Sequence, residues 1–173
     1  VRGHPAQVWA LWSQESIVNY PTLRDPRLLR QYDLRMTYRL DADITIPYFQ
    51  LDTFDDLSPL VPLAEREAAP LSAWVSAGRD RCGRNEFLGE LVAAMPVDSY
   101  GRVHSTRSLV DDSGTASKLA AIARYRFTAA FENSLTDDYV TEKFFQPLVM
   151  GSVPVVRGAA NIAEFAPSSD CYV

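Results

Sequence analysis

From residue 71 onward the sequence alternates between short apolar runs and segments of helical periodicity, and this rhythm constrains the fold more than any other feature. Ser72 to Ala77 reads as a short strand. Leu88, Leu91, Val92 and Met95 then recur at i, i+3, i+4 and i+7, one face of a helix. A strand lies within Val97 to Val103, and a helix over Lys118 to Arg124. A strand over Phe127 to Phe131 and a helix over Asp138 to Met150 follow, with Gly151 placed as its C-terminal cap. Val153 to Val156 is a further strand. Strands separated by helices imply βαβ units and a parallel sheet, hence an α/β class.

The first fifty residues are less regular. Val8 to Trp12 is a continuous apolar run, as expected of a strand buried on both faces. A helical turn is predicted around Arg27 to Gln31. Leu34, Met36, Tyr38 and Leu40 alternate with polar residues, a period-2 strand. Residues 51–70 carry Asp52, Asp55 and Asp56 among Pro59, Pro62 and Pro70, and read as a linker. The expected division is 1–50, part of an N-terminal domain; 51–70, linker; and 71–173, a second domain.

A net charge of −5 over 173 residues argues against a general nucleic-acid-binding surface. No apolar run is long enough to span a membrane. The chain begins at Val1 and stops after Cys171-Tyr172-Val173. It therefore reads as a segment of a longer protein, with any targeting or anchoring stretch expected outside it. Cys82 and Cys171 are too few for a disulfide framework or a zinc site. Pairing and two buried thiols both remain open. Neither His4 nor His104 has a partner at ligand spacing. Trp9, Trp12 and Trp74 are expected in the core.

Ligands in open α/β sheets bind where strands end and helices begin. Three junctions qualify. Gly78-Arg79-Asp80-Arg81-Cys82-Gly83-Arg84-Asn85 brings three arginines to a helix N-terminus, a setting suited to phosphate, although a solvated basic loop has the same composition. Glu132-Asn133-Ser134 ends a strand, and Asp138-Tyr139-Val140-Thr141-Glu142-Lys143 opens a helix. There Glu142 is placed to hold hydroxyls and Lys143 to neutralise phosphate. Ser134 with Asp137 also fits a plain capping box. Glu15 follows the first strand, where a carboxylate suits a general base.

The stretch Tyr125-Arg126-Phe127-Thr128-Ala129-Ala130-Phe131-Glu132-Asn133-Ser134, then Asp138 to Lys143, then Gly151-Ser152-Val153-Pro154-Val155-Val156, resembles the α1,3-fucosyltransferases of glycosyltransferase family 10. Glu15-Ser16 resembles that family's Glu-Ser-Pro loop, with Ile17 in place of proline. Tyr38 to Asp43 with Pro47-Tyr48 resembles its Tyr-Arg-x-Asp-Ser-Asp…Pro-Tyr segment, and Asp98-Ser99-Tyr100-Gly101 the strand before the donor site. The Cys82 to Asn85 loop and Asn161 to Pro167 look closest to plant-type members, which modify the innermost N-acetylglucosamine of N-glycans. Pro147 inside a helix departs from the pattern, as does Val103, where many relatives place a cysteine.

The resemblance implies a GT-B fold of two Rossmann-like domains, with the N-terminal one incomplete here. It implies inverting transfer of L-fucose from GDP-β-L-fucose to a glycan hydroxyl. Glu15 is the implied base, and Arg84, Asn133, Tyr139, Glu142 and Lys143 are the implied donor-binding residues. Neither a metal nor a cofactor is implied as a requirement; a divalent cation is at most stimulatory. An N-glycan acceptor and a Golgi lumenal location, held by a segment outside this chain, complete the expectation. A non-catalytic GDP-sugar or glycan binder, and another nucleotide-sugar transferase of the same fold, are the alternatives.

Overall fold

The computed structural model describes residues 3–4, 6–49 and 60–173. Two parallel sheets organise the chain. The first has β1 (Ala10–Ser13), β2 (Leu34–Thr37) and β3 (Ile44–Thr45) in that order, with Ala10 opposite Leu34 and Met36 opposite Ile44. A four-residue helix, α1 (Pro26–Leu29), precedes β2, and the Asp25 side chain accepts its Arg27 N–H. The strand expected from Val8 starts two residues later. Nor is it enclosed: Val8 and Trp12 are each 65% exposed. As the end strand of a three-stranded sheet, β1 has a face that nothing among the described residues covers. Of the three tryptophans expected in the core, Trp12 is exposed and Trp9 and Trp74 are half-buried.

The second sheet contains β4 (Leu71–Ala73), β5 (Val97–Ser99), β6 (Phe127–Phe131) and β7 (Val153–Arg157) in the order β5-β4-β6-β7, all parallel. Parallel neighbours need crossovers. These are supplied by α2 (Arg84–Ala94), α3 (Thr115–Ile122) and α4 (Glu142–Val149). The side chains of β4 alternate between two cores. Leu71 and Ala73 join Val97, Ala129 and Phe131 against Leu88 of α2. On the opposite face, Trp74 packs beside Ile122 of α3 and Val149 of α4. Ser72 of β4, Thr128 of β6 and Ser152, just before β7, form a buried hydroxyl chain at 2.9 Å per step, so these hydroxyls are all partnered.

The chain moves from β4 outward to β5, then returns past β4 to β6. The crevice above the carboxyl ends of β4 and β6 is therefore the topological switch point. It is flanked by the β4–α2 loop and the β6–α4 loop, the two junctions singled out in the sequence.

Helix α4 begins at Glu142 rather than Asp138. Asp138 has a positive φ of 66°, which a helix cannot continue, and Thr141 is the N-cap. The Ser134–Asp137 capping box therefore does not form. Pro147 lies inside α4 without breaking it, and Gly151 adopts φ 69° just past its end, as a C-terminal stop requires. Residues 51–59 of the expected linker lie outside the described residues. The rest of that stretch is docked: Arg66 donates to the carbonyls of Val61, Tyr125 and Gly151. Cys82 and Cys171 are half-buried free thiols, which excludes their pairing.

Candidate active site

The β6–α4 loop is built around a buried carboxylate. Glu132 follows a strand whose last four residues are buried and is itself 3% exposed. Its Oε1 accepts from the Thr141 N–H at 2.8 Å and the Thr141 hydroxyl at 2.7 Å. Oε2 has no hydrogen bond, and the Lys143 ammonium stands 3.5 Å away. Lys143 Nζ also donates to Thr141 Oγ1 at 3.0 Å and to Glu142 Oε1 at 3.2 Å. Burial works against the Lys143 charge, but Glu132 and Glu142 outweigh it and hold its pKa above the ordinary lysine value. Burial pushes the Glu132 carboxyl up, against the pull of Lys143 and Thr141. Glu142 is held down, because Lys143 and Lys118 together outweigh its desolvation. One fixed cation thus sits at the start of α4 with a half-exposed carboxylate beside it.

Asn133, the next residue, directs Oδ1 to Asn19 Nδ2 at 2.8 Å, across from the other sheet. That bond engages Oδ1 and leaves the amide N–H groups as the side chain's remaining donors. Tyr139 is 3% exposed. Its ring stands edge-on to Tyr38, with centroids 5.0 Å apart, and to Tyr48 at 5.9 Å. Asp138 reaches back as well, accepting from the Leu40 N–H at 3.2 Å and from Asn161 Nδ2 at 2.8 Å. The loops at the carboxyl ends of the two sheets therefore meet along one seam.

Glu15 lies on the first-sheet side of that seam, exposed, its N–H donating to Ser13 Oγ at 3.2 Å. It lines a cavity of about 280 Å³ together with Leu11, Ile17, Arg24 and Arg39. Burial pushes the Tyr48 phenol up to about 12, eased by its bond to Tyr139, while Glu15, Glu142 and Glu132 add to the rise. The Tyr139 phenol is raised too, mainly by burial, with Glu132 and Glu15 contributing. The same pair of phenols thus feels a carboxylate of the first sheet and carboxylates of the second.

The β4–α2 loop departs from the expected phosphate cradle. The three arginines diverge. Arg84 is 1% exposed and turned inward, donating from Nη2 to Ala77 O at 2.8 Å and Arg79 O at 3.3 Å, and from Nε to Asn85 Oδ1 at 3.2 Å. Arg79 lies over the Tyr20 ring at 5.1 Å, and Arg81 is exposed. The N-terminus of α2 is already supplied with an anion: Asp80 accepts from the Asn85 N–H at 2.8 Å and the Cys82 N–H at 3.0 Å. A chain's own carboxylate a few residues upstream competes for those N–H groups with any outside phosphate.

Sequence reasoning placed Glu15, Asn133 and Tyr139 on the loops that form the seam, and Glu142 and Lys143 at a helix start, which is where α4 begins. It missed Ser16, Asn19, Tyr38, Tyr48 and Asp138 as the residues that close it, and Glu132 as the group that fixes Lys143. A glutamate directly after five strand residues, four of them buried, was the available signal for Glu132. Among the described residues no group of His, Cys, Asp or Glu side chains is arranged to hold a metal ion.

Two parallel sheets whose carboxyl ends meet across Tyr38 and Tyr139 define an α/β protein of GT-B type. A crystal structure of an α1,3-fucosyltransferase with GDP-fucose shares this fold: the TM-score is 0.60 at 17% identity, over 93% of this chain and 56% of that one. The family model described as glycosyltransferase family 10 (fucosyltransferase), C-terminal part, matches residues 65–173, and the chain belongs to that family. A fucosyltransferase-like protein of Arabidopsis thaliana is 41% identical over 98% of this chain and 32% of its own length. The GDP-fucose protein O-fucosyltransferase 3 of Mus musculus is 33% identical over 93% of this chain and 36% of its own. The chain spans about a third of the length of these curated relatives.

Proposed function

We propose that the protein containing this chain transfers L-fucose from GDP-β-L-fucose to a hydroxyl of N-acetylglucosamine in a glycan, the N-glycan core in α1,3 linkage, with inversion. One observation carries the reading: the loop that follows β1 and bears Glu15 is tied to the β6–α4 loop by the Asn19–Asn133 hydrogen bond at 2.8 Å, and the Tyr38 and Tyr139 rings meet beside it with centroids 5.0 Å apart. A base on the acceptor side and a cation on the donor side are what a single in-line displacement needs. The acceptor oxygen attacks C1 of fucose as Glu15 takes its proton. The bond between C1 and the phosphate oxygen breaks, and GDP leaves with the electron pair. Lys143 stabilises the charge growing on the diphosphate without a metal bridge, because it is held before the reaction begins. Glu142 accepts from fucose hydroxyls, and the Asn133 amide donates to a phosphate or sugar oxygen. Lumenal Golgi localisation belongs to the same proposal.

A second acceptor class is favoured by the 33% identity to a GDP-fucose protein O-fucosyltransferase: a hydroxyl of a protein in place of a glycan. The test is transfer by the full-length protein from GDP-fucose to an N-glycan core and, in parallel, to glycan-free folded proteins, with and without EDTA. Fucosylation of the core that survives chelation is expected. Transfer only to the glycan-free acceptors replaces the first acceptor with the second, and no transfer to either overturns the enzyme reading. Glu15→Gln, which keeps the side chain's shape but cannot take a proton, is expected to lose about 10²–10⁴ in turnover while GDP-fucose affinity stays unchanged. Near-normal turnover removes Glu15 as the base.

A further inference from the structure

Glu132 Oε2 is a carboxylate oxygen with no hydrogen bond, in a side chain that is only 3% exposed. An ionised oxygen buried in that state is costly unless an opposite charge faces it. The charge that does so is the Lys143 ammonium at 3.5 Å, and it is shared with Glu142 Oε1 at 3.2 Å. Two carboxylates thus rely on one ammonium, and that ammonium is the group read above as stabilising the donor diphosphate. Oε1 is in the opposite situation, since the Thr141 N–H and hydroxyl both donate to it. A proton arriving on Glu132 therefore goes to Oε2, where it displaces no existing bond.

We propose that Glu132 takes up a proton from solvent on Oε2 when a diphosphate binds at Lys143, which frees the whole ammonium charge for the phosphate. The proposal rests on the donor reading above. An anion beside Lys143 draws the ammonium away from Glu132 and adds like charge near a carboxylate already short of partners. Both effects favour the neutral acid. In balance, one O–H bond forms on Oε2, Lys143 keeps its proton and the phosphates stay ionised. The surroundings of Glu132 leave few other groups to titrate. From α4 it faces Lys143 and Glu142, and Lys118 of α3 lies within the field of both. The β4–α2 loop brings Arg84, and Cys82, whose Sγ donates to the Glu132 carbonyl at 3.3 Å. Arg157 of β7 accepts the Glu132 N–H on its carbonyl at 2.9 Å, and Tyr139 and Tyr48 bring two phenols. The arginines stay charged. Burial pushes up the Cys82 thiol and both phenols and so keeps them neutral, while Glu142 is held ionised. Of these neighbours, Lys118, whose pKa burial lowers, is the rival for the proton.

The test is the affinity of the full-length protein for GDP-fucose from about pH 5 to about pH 8.5, by calorimetry in buffers of different ionisation enthalpy. GDP-fucose is the probe because fucose esterifies its terminal phosphate, whereas that of GDP titrates at about pH 6. The unliganded Glu132 carboxyl has the lower pKa and the liganded one the higher. Between the two values affinity should fall about tenfold per pH unit as pH rises, with uptake of about one proton per ligand bound. Glu132→Gln keeps an oxygen for Thr141 and mimics the neutral acid. It should abolish both the slope and the uptake, and bind GDP-fucose at high pH as tightly as the native protein does at low pH, whereas a merely structural role would weaken binding at every pH. Lys118→Met should leave the slope and the uptake in place. Uptake that disappears in Lys118→Met and persists in Glu132→Gln overturns the assignment. A flat profile without proton uptake in the native protein overturns it without any variant and leaves the donor site standing. No binding of GDP-fucose at any pH overturns both readings.

Discussion

Ser134 Oγ donates to Ser16 Oγ across 2.6 Å, and both side chains are fully buried. The bond joins the loop that carries Glu15 to the loop that carries Asn133, 118 residues apart in sequence. Ser16 Oγ also accepts from the Val18 N–H at 3.2 Å, which fixes the turn that presents Glu15. With Asn19–Asn133 and Tyr38–Tyr139, this contact sets the distance between the two halves of the site.

A double-mutant cycle on Ser16→Ala and Ser134→Ala should therefore show coupling. Each single variant leaves the other hydroxyl short of a partner and is expected to cost about 1 kcal/mol in chemical unfolding of the full-length protein. The double variant should cost less than the sum by about 0.5 kcal/mol or more. Strict additivity would mean that the two hydroxyls do not meet in solution.

Thr141 is the hinge between Glu132 and Lys143. Its hydroxyl donates to Glu132 Oε1, accepts from Lys143 Nζ and caps the Lys143 N–H. Thr141→Ala should destabilise by about 1–2 kcal/mol, the range for a lost N-cap, and should also weaken GDP binding because Lys143 loses its tether. Thr141→Ser keeps the hydroxyl and should restore GDP affinity. If Thr141→Ser binds GDP as weakly as Thr141→Ala, the hydroxyl is not what places the lysine.

Much of the second unit is legible in the sequence. Leu88, Leu91 and Val92 announce α2, and Phe127 to Phe131 is a strand with the bounds expected. Alternation of helix and strand is a local signal, and βαβ units translate it directly into a parallel sheet. The start of α4 is misread because Asp138 looks like helix-opening chemistry, yet its carboxylate is spent on Leu40 and Asn161, far away in the chain. The seam is illegible for the same reason. Nothing near Ser16 or Asn19 shows that their partners lie more than a hundred residues on. The inward turn of Arg84 is hidden too, since an arginine beside a helix start carries no mark of whether it faces phosphate or its own loop.

Asp80 makes the β4–α2 loop sensitive to acid. Burial pushes its carboxyl up, but the N–H groups of Asn85, Cys82 and Arg84 outweigh this and bring it down to about 2. A carboxylate depressed in the folded state contributes stability above its unfolded pKa of about 4 and loses it as pH falls toward the folded value. Unfolding measured from pH 7 to pH 2 should show a fall in stability between about pH 4 and pH 2. That step should be smaller in Asp80→Asn, which is expected to be the less stable protein at neutral pH. An identical step in both would assign the acid sensitivity elsewhere.

Arg84 tests whether this loop serves the donor site through charge or through shape. Its guanidinium reaches Ala77 O and Arg79 O from Nη2 and Asn85 Oδ1 from Nε, donors on two nitrogens held in one rigid plane, whereas an ammonium has all its donors on a single nitrogen. Burial also lowers its pKa, opposed by the Asp80, Cys82 and Glu132 groups around it. Arg84→Lys therefore keeps the positive charge near Lys143 while breaking the fork. If Arg84 serves the donor mainly by holding the loop, Arg84→Lys should lose stability and GDP affinity together, about tenfold or more in the latter. Arg84→Lys and Arg84→Met should then be weakened to similar degrees. If its charge acts on the diphosphate directly, Arg84→Lys should retain most of the GDP affinity that Arg84→Met loses. Calorimetry with GDP on both variants of the full-length protein, beside their thermal unfolding, separates the two. The inward geometry predicts the first pattern.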